Sequence, residues 1–224
     1  LCSAKVEGAE VGSHYIKFYP DKIQGKTITI DIGTAGSITL LLQAALIPCL
    51  FADKKTTLKI KGGTDGKWAM PYDYFKEIFL PQIKDFADIK LKLIKRGYYP
   101  KGGGEINIEI NPKYKLGDFK DFGEFLNYIK KQNKQFNQID QGELKKVKGI
   151  SHASSDLQKA KVAERQAKAA EEKLKQLDVP VDIKTEYHNT LCPGSGIVLW
   201  TEFNNKTRIG ADSLGERGKK AEKV

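Results

Sequence analysis

Arg96-Gly-Tyr-Tyr-Pro-Lys-Gly-Gly-Gly-Glu105 lies between two alternating segments, Ile89 to Lys95 and Glu105 to Ile110. Period-two alternation on both sides of a glycine-rich run specifies two strands joined by a turn. Upstream, Thr27 to Ile32 is β-branched and alternating, a further strand. Ser37 to Phe51 is an apolar run of helical length, and Thr57 to Ile60 is a short strand ending at Gly62-Gly63. Pro71 suits the first helical position, and Tyr74, Phe75, Ile78, Phe79 and Ile83 follow at helical spacing. The order is β-α-β-α-β-β over about residues 26–111. Right-handed parallel crossovers put both helices on one face of the sheet. The expected fold is therefore α/β, a two-layer α+β unit.

The turn itself has a chemical composition that suits a ligand. Arg96 and Lys101 bracket it with positive charge, Tyr98 and Tyr99 add flat amphipathic rings, and the glycines let backbone approach closely. Cations, stacking surfaces and bare amides together fit a ligand with phosphate and base. A glycine-rich hairpin with a basic edge is the plainer reading, and composition leaves both open. The net charge of +10 makes nucleic acid the natural partner class. No apolar run is long and uncharged enough to span a bilayer: the longest, Ile38 to Ala52, is interrupted by Thr39, Gln43 and Pro48. Leu1 to Pro20 carries no secretory pattern. Three scattered cysteines, Cys2, Cys49 and Cys192, form neither a metal-ligand pair nor a disulfide framework, which fits a reducing, cytoplasmic setting.

Asn111 to Gln141 is polar and reads as a solvated linker or marginal structure, with a short helix over Phe119 to Tyr128 weakened by Gly123. A second small α/β unit begins near Gly142. Leu144 to Ser151 reads as a strand. Ser155 to Leu177 reads as a helix capped by Ser154 or Ser155, its stripe formed by Ala160, Val162, Ala163, Ala167, Ala170 and Leu174. Val181 to Tyr187 and Ile197 to Phe203 are strands joined through Cys192-Pro-Gly-Ser-Gly196, and Thr207 to Asp212 suggests one more. Val11 to Tyr19 reads as the last strand of a preceding unit. The opening at Leu1 without Met, and Arg217 to Val224 reading as the first turns of a helix, lead to the expectation that further chain lies beyond both ends.

RGYYPKGGGE is similar to the signature of the RNA 3′-terminal phosphate cyclases. Three other stretches agree in the same order: Gly33-Thr-Ala-Gly-Ser-Ile-Thr-Leu-Leu-Leu-Gln43, Lys61-Gly-Gly-Thr64 followed by Pro71, and Gly210-Ala-Asp-Ser-Leu-Gly-Glu-Arg-Gly218. The resemblance covers most of the chain, least of all Asn111 to Gln141. It implies that the β-α-β-α-β-β unit is the repeat shared with the C-terminal domain of translation initiation factor 3. Residues 1–141 then belong to the large domain, 142–206 to a small insert domain, and 207–224 return toward the large domain.

The resemblance also implies an activity. Such an enzyme, of the ATP-dependent ligase class, converts an RNA 3′-terminal phosphate into a 2′,3′-cyclic phosphate through enzyme–AMP and RNA–adenylate intermediates. Carried over by motif, Gln43 and Pro71 would contact ATP, Pro71 against the adenine. Arg96 and Lys101 are the substrate-phosphate candidates, since arginine offers a planar fork and lysine a mobile point charge. A divalent metal, magnesium or manganese, would accompany ATP, and RNA bearing a 3′-terminal phosphate would be the partner. On the residues alone, Gln43 reads as a polar group in an apolar helix face that needs a buried partner, and Pro71 simply as a helix opener. Trp68 could stack a base or cap a core edge.

None of His14, His152 and His188 has a carboxylate or cysteine at ligand spacing, so no metal site is expected. The family's nucleophilic histidine and its Asp-Gln motif match nothing in these residues, so the chain is expected to lack self-adenylylation. A non-catalytic cyclase-like protein of ribosome assembly is the alternative, and a basic RNA-binding α/β module a third reading.

Overall fold

The computed structural model describes residues 1–132 and 138–224; residues 133–137, inside the polar connection, lie outside the described residues. β1 (Lys5–Glu7) and β2 (Lys17–Tyr19) form a two-stranded antiparallel ribbon. Only the last three residues of the expected strand 11–19 pair in this way, because a turn returns the chain there, Ser13 N–H donating to Glu10 O at 3.2 Å.

The first unit follows the expected order. β3 (Thr27–Asp31) leads into α1 (Ile38–Leu50), β4 (Thr56–Gly62), α2 (Tyr72–Tyr74), a π-helical turn over Phe75–Phe79, α3 (Leu80–Ile83), β5 (Ala87–Lys95) and β6 (Gly104–Pro112). The sheet order is β3-β4-β6-β5, with β3 parallel to β4 and β6 antiparallel to both its neighbours. The second crossover therefore skips one position, and the returning β6 fills the gap. Ser37 caps α1, its Oγ accepting from Leu40 N–H at 3.1 Å. Ile38, Leu42, Leu46, Cys49 and Leu50 lie against Leu58, Ile60, Ile106, Ile108 and Ile110 of the sheet. Each such aliphatic side chain contributes about 1.5–3 kcal/mol by burial. The other sheet face carries Lys59, Lys61 and Glu105 to solvent, so helices cover one side only, a two-layer α+β arrangement. Pro71 stands one position before the helix rather than inside it, its carbonyl accepting from Phe75 N–H at 3.0 Å.

Residues 119–132 of the polar connection are more regular than their composition predicts. α4 (Phe122–Lys131) is capped by Asp121, whose Oδ1 accepts from Glu124 N–H at 2.9 Å, while Glu124 Oε2 accepts from Lys120 N–H at 2.9 Å. This reciprocal pair is a capping box shifted by one residue. Phe125 packs edge-on to Phe51 and Phe119, with centroids at 5.1 and 5.5 Å, tying the helix to the first unit.

The second unit contains β7 (Leu144–Ser154), α5 (Val162–Leu174), β8 (Val181–His188), β9 (Ser195–Phe203) and β10 (Arg208–Leu214) in the order β10-β9-β7-β8. α5 starts seven residues later than expected, behind Lys161 at φ +50°, not at Ser154 or Ser155. Ser154 is retained by the sheet instead, opposite His188 and donating its N–H to Gly194 O at 2.8 Å. The segment 207–224, expected to return toward the large domain, first supplies β10 to this sheet. Its C-terminal residues include a 3₁₀ turn at Ala221–Lys223 in place of the expected helix.

The helix from Tyr72 to Ile83 is packed on two sides. Tyr72, Phe75 and Leu80 face the first core, while Tyr74 and Ile78 meet Ile150, Val198 and Trp200 of the second sheet. Arg208 of β10 adds a hydrogen bond to Glu77 O at 2.6 Å, at the π-helical turn.

Candidate functional site

Alternation along β7 sorts its side chains into two environments. Ser151 turns toward α5, donating to Ala163 O at 2.8 Å and bonding Gln166 Oε1 at 3.1 Å. Ile150 and His152 turn toward the first unit. His152 is fully buried there and meets three residues from the opposite side: Asp65 after β4, Asp73 in α2 and Tyr98 after β5.

Arg96 is the hub of this cluster. Only 1 % exposed, it directs Nη1 to both Asp65 oxygens at 3.0 and 2.9 Å and Nη2 to Asp73 Oδ2 at 2.7 Å. Burial disfavours its charge, but the two carboxylates outweigh that cost and hold it protonated. Tyr98 stacks on His152 with centroids 5.9 Å apart, and its hydroxyl lies 2.8 Å from Nδ1. Burial, followed by the Asp65 charge, raises the Tyr98 pKa, so it stays a phenol able to donate to Nδ1. Nε2 then carries the imidazole proton, 3.4 Å from Asp65 Oδ1. Burial and then Arg96 push the His152 pKa well below the usual histidine value and keep the ring neutral. At the rim, the hydrogen bond from His188 at 3.1 Å holds the half-exposed Glu186 below the usual carboxylate range.

Above the cluster opens a cleft of about 1050 Å³. Its walls are Ala35 and Ser37 before α1 with Leu40 in its first turn, Gly63, Asp65 to Ala69, Tyr98 to Pro100, Pro193 to Ser195, and Leu214 to Arg217. The four stretches that carry the family resemblance thus converge on one cavity, closed on its far side by the Cys192–Gly196 turn. Its volume is in the range of small-ligand sites.

The glycine run serves this convergence rather than a ligand. A Cβ on Gly102, at φ +64°, would collide with the Thr34 carbonyl, so this glycine locks the two turns together. Gly194 likewise lies flat against the Tyr98 ring, with no room for a side chain. The expectation of bare amides exposed for a phosphate is replaced by turn-on-turn packing.

The candidate residues are dispersed. Arg96 does not offer its fork to solvent; both carboxylates occupy it, and sequence spacing could not reveal partners 31 and 23 positions away. Lys101 is exposed, outside the cleft lining, with its backbone N–H 3.4 Å from Cys192 Sγ. Gln43 is not the buried amide expected: it lies on the outer face of α1 with Leu40 and Ile47, one turn beyond the cleft. Pro71 is buried at the helix start, while its neighbour Ala69 reaches the cleft. Trp68 caps no core edge; it is 96 % exposed at the cleft.

One further expectation is corrected. His152 does have carboxylate neighbours, and Asp65, Asp73 and His152 together offer three ligand atoms within 4.8 Å of one another. These donors do not fit a resident divalent ion, because the Arg96 guanidinium already occupies both Asp65 oxygens and Asp73 Oδ2 within 3.0 Å. Asp65, Asp73 and Glu186 were missed in the sequence, where single carboxylates separated by many residues carry no periodic signal.

The profile of the family described as RNA 3′-terminal phosphate cyclase matches residues 1–201. Proteins named RNA 3′-terminal phosphate cyclase from Pyrococcus furiosus, Pyrococcus abyssi and Archaeoglobus fulgidus are 44, 43 and 40 % identical to it, each over 225 residues. The matches take in all of this chain and 60 % of each relative, so the chain spans about three fifths of their length. The chain belongs to the RNA 3′-terminal phosphate cyclase family.

Proposed function

We propose that this chain carries the substrate cleft of an enzyme that converts an RNA 3′-terminal phosphate to a 2′,3′-cyclic phosphate at the expense of ATP. The observation supporting this is the convergence of the four family-like stretches on one cavity between the two units. Residues 1–141 belong to the large domain and 142–206 to the insert, with β10 completing the insert's sheet. Unpaired Cys2, Cys49 and Cys192 support a cytoplasmic setting. The described residues contain no helix long and apolar enough to cross a membrane.

The reaction balances in three displacements. A histidine nitrogen attacks the α-phosphorus of ATP and pyrophosphate leaves. An oxygen of the RNA 3′-phosphate then attacks the same phosphorus, displacing the histidine and forming an RNA–adenylate. Finally the 2′-hydroxyl attacks the RNA phosphorus, losing its proton, and AMP departs. Gln43 lies beside the cleft on α1 and is assigned to the nucleotide; Pro71 is assigned to the adenine only if its helix start opens. Arg96 acts by fixing the Tyr98–Pro100 turn, and Lys101 adds positive potential at the rim. A divalent ion enters with the triphosphate it neutralises and is not held by the Asp65–Asp73–His152 trio.

None of the three histidines here supplies the nucleophile. His152 is sealed, His188 is tied to Glu186, and His14 does not line the cleft. These 224 residues incubated with ATP and magnesium are therefore expected to gain no acid-labile AMP by intact mass. The full natural protein is expected to gain one AMP and to cyclise a 3′-phosphorylated oligoribonucleotide. A full protein that binds such RNA without adduct would favour the non-catalytic ribosome-assembly reading.

A further inference from the structure

Trp68 is the most exposed large aromatic ring in the cleft, at 96 %, and nothing in either core accounts for it. Its backbone sits at φ +76°, a region that a bulky residue rarely adopts. A strained residue presenting an unburied indole points to a partner that is not among the described residues. Tyr99, 75 % exposed, lines the same cavity from the other side of the β5–β6 turn. The two rings therefore offer apolar faces along one opening.

The charges around them are unequal. Arg96 is neutralised by Asp65 and Asp73, and Lys67 pairs with Glu216 at 3.1 Å. Arg217 also lines the cleft and is exposed, and among the described residues it makes no ion pair. An unengaged guanidinium fork beside two unengaged aromatic rings matches a nucleotide that ends in a phosphate. The nucleotide candidates Gln43 and Pro71 do not line the cleft, whereas Trp68, Tyr99 and Arg217 do. Exposed rings of this kind suit single-stranded RNA, whose unstacked bases are free to stack on them.

We propose that Trp68, Tyr99 and Arg217 form a subsite for the 3′-terminal nucleotides of single-stranded RNA, the rings stacking bases and Arg217 holding the terminal phosphate. This rests on the cyclase reading for its substrate class, but the test separates the two. In the full natural chain, emission from Trp68 is followed while a short 3′-phosphorylated oligoribonucleotide, or ATP with magnesium, is added. Of the two tryptophans in these 224 residues Trp200 is buried, so the acrylamide-quenchable emission that disappears in Trp68→Phe reports Trp68.

RNA should quench that emission and ATP should not. Trp68→Ala should weaken RNA binding about ten-fold or more, with Trp68→Phe recovering most of it. Arg217→Ala should abolish the preference for a 3′-phosphate over a 3′-hydroxyl end. The stacking assignment is overturned if Trp68 is already shielded before RNA arrives, if ATP alone quenches it, or if Trp68→Ala binds RNA normally. Equal weakening of phosphate and hydroxyl ends by Arg217→Ala overturns the phosphate assignment. RNA binding without cyclisation would remove the proposed activity and leave the subsite standing.

Discussion

The interior under α1 and the interior between the two units are built from opposite materials. The first is aliphatic: Leu42, Leu46, Leu58, Ile106, Ile108 and Ile110 exclude water and ask nothing of one another beyond shape. The second buries one arginine, two aspartates, a histidine and a tyrosine, each of which is tolerable only while its partners stay in place. An aliphatic core degrades gradually as atoms are removed. A buried ionic core fails at once when one charge is left alone. The junction beneath the cleft is therefore specific in geometry and fragile, while the unit holding it is tolerant.

Arg96→Met should be the most damaging single change, leaving Asp65 and Asp73 buried without a countercharge. A loss of about 3–5 kcal/mol in urea unfolding is expected. A loss below about 1 kcal/mol would mean that water reaches the carboxylates and that the junction is not a dry ionic core.

Leu46→Ala tests the other side of the contrast. It should cost about 2–5 kcal/mol by lost transfer and cavity terms. The double variant with Arg96→Met should be close to additive, because the two interiors share no partner. Strong coupling would show that they fold as one network.

Between pH 7.5 and 5, acid should act on the junction rather than on the aliphatic core. The His152 pKa is depressed in the folded protein, so unfolding takes up a proton below the ordinary value of 6.5. Its contribution is complete above that pH and is lost as pH falls through it toward the lowered folded value, by up to about 1.4 kcal/mol per pH unit. Melting temperature followed from pH 7.5 to 5 should show that slope. His152→Asn, which keeps an acceptor near the Tyr98 hydroxyl, should flatten it.

The smallest expected effect is Ser37→Ala, which removes the α1 cap at the cleft wall for about 1 kcal/mol. Ser37→Asp should restore it. If neither change alters stability, the α1 N-terminus is held by the Ile38 N–H to Gly63 O bond at 3.0 Å alone.

The first unit was legible because its elements repeat a local rule. Strand alternation in Glu105 to Ile110 and the apolar length of Ser37 to Phe51 each follow from burying one face. The misjudged segments broke such rules for non-local reasons. Ser154 stayed in a strand because Gly194 offered its N–H a partner, and Phe125 tied α4 to the first unit by reaching Phe51.

The sequence by itself determined the β-α-β-α-β-β order, the helix-covered sheet face and the membership in a family, because periodicity and contiguous motifs are local properties of a chain. Tertiary structure alone decided that Arg96 is an internal counterion, that His152 is sealed and neutral, and that Trp68 stands in the open cleft. Charge state and exposure depend on what packs around a group, and those neighbours come from distant parts of the chain.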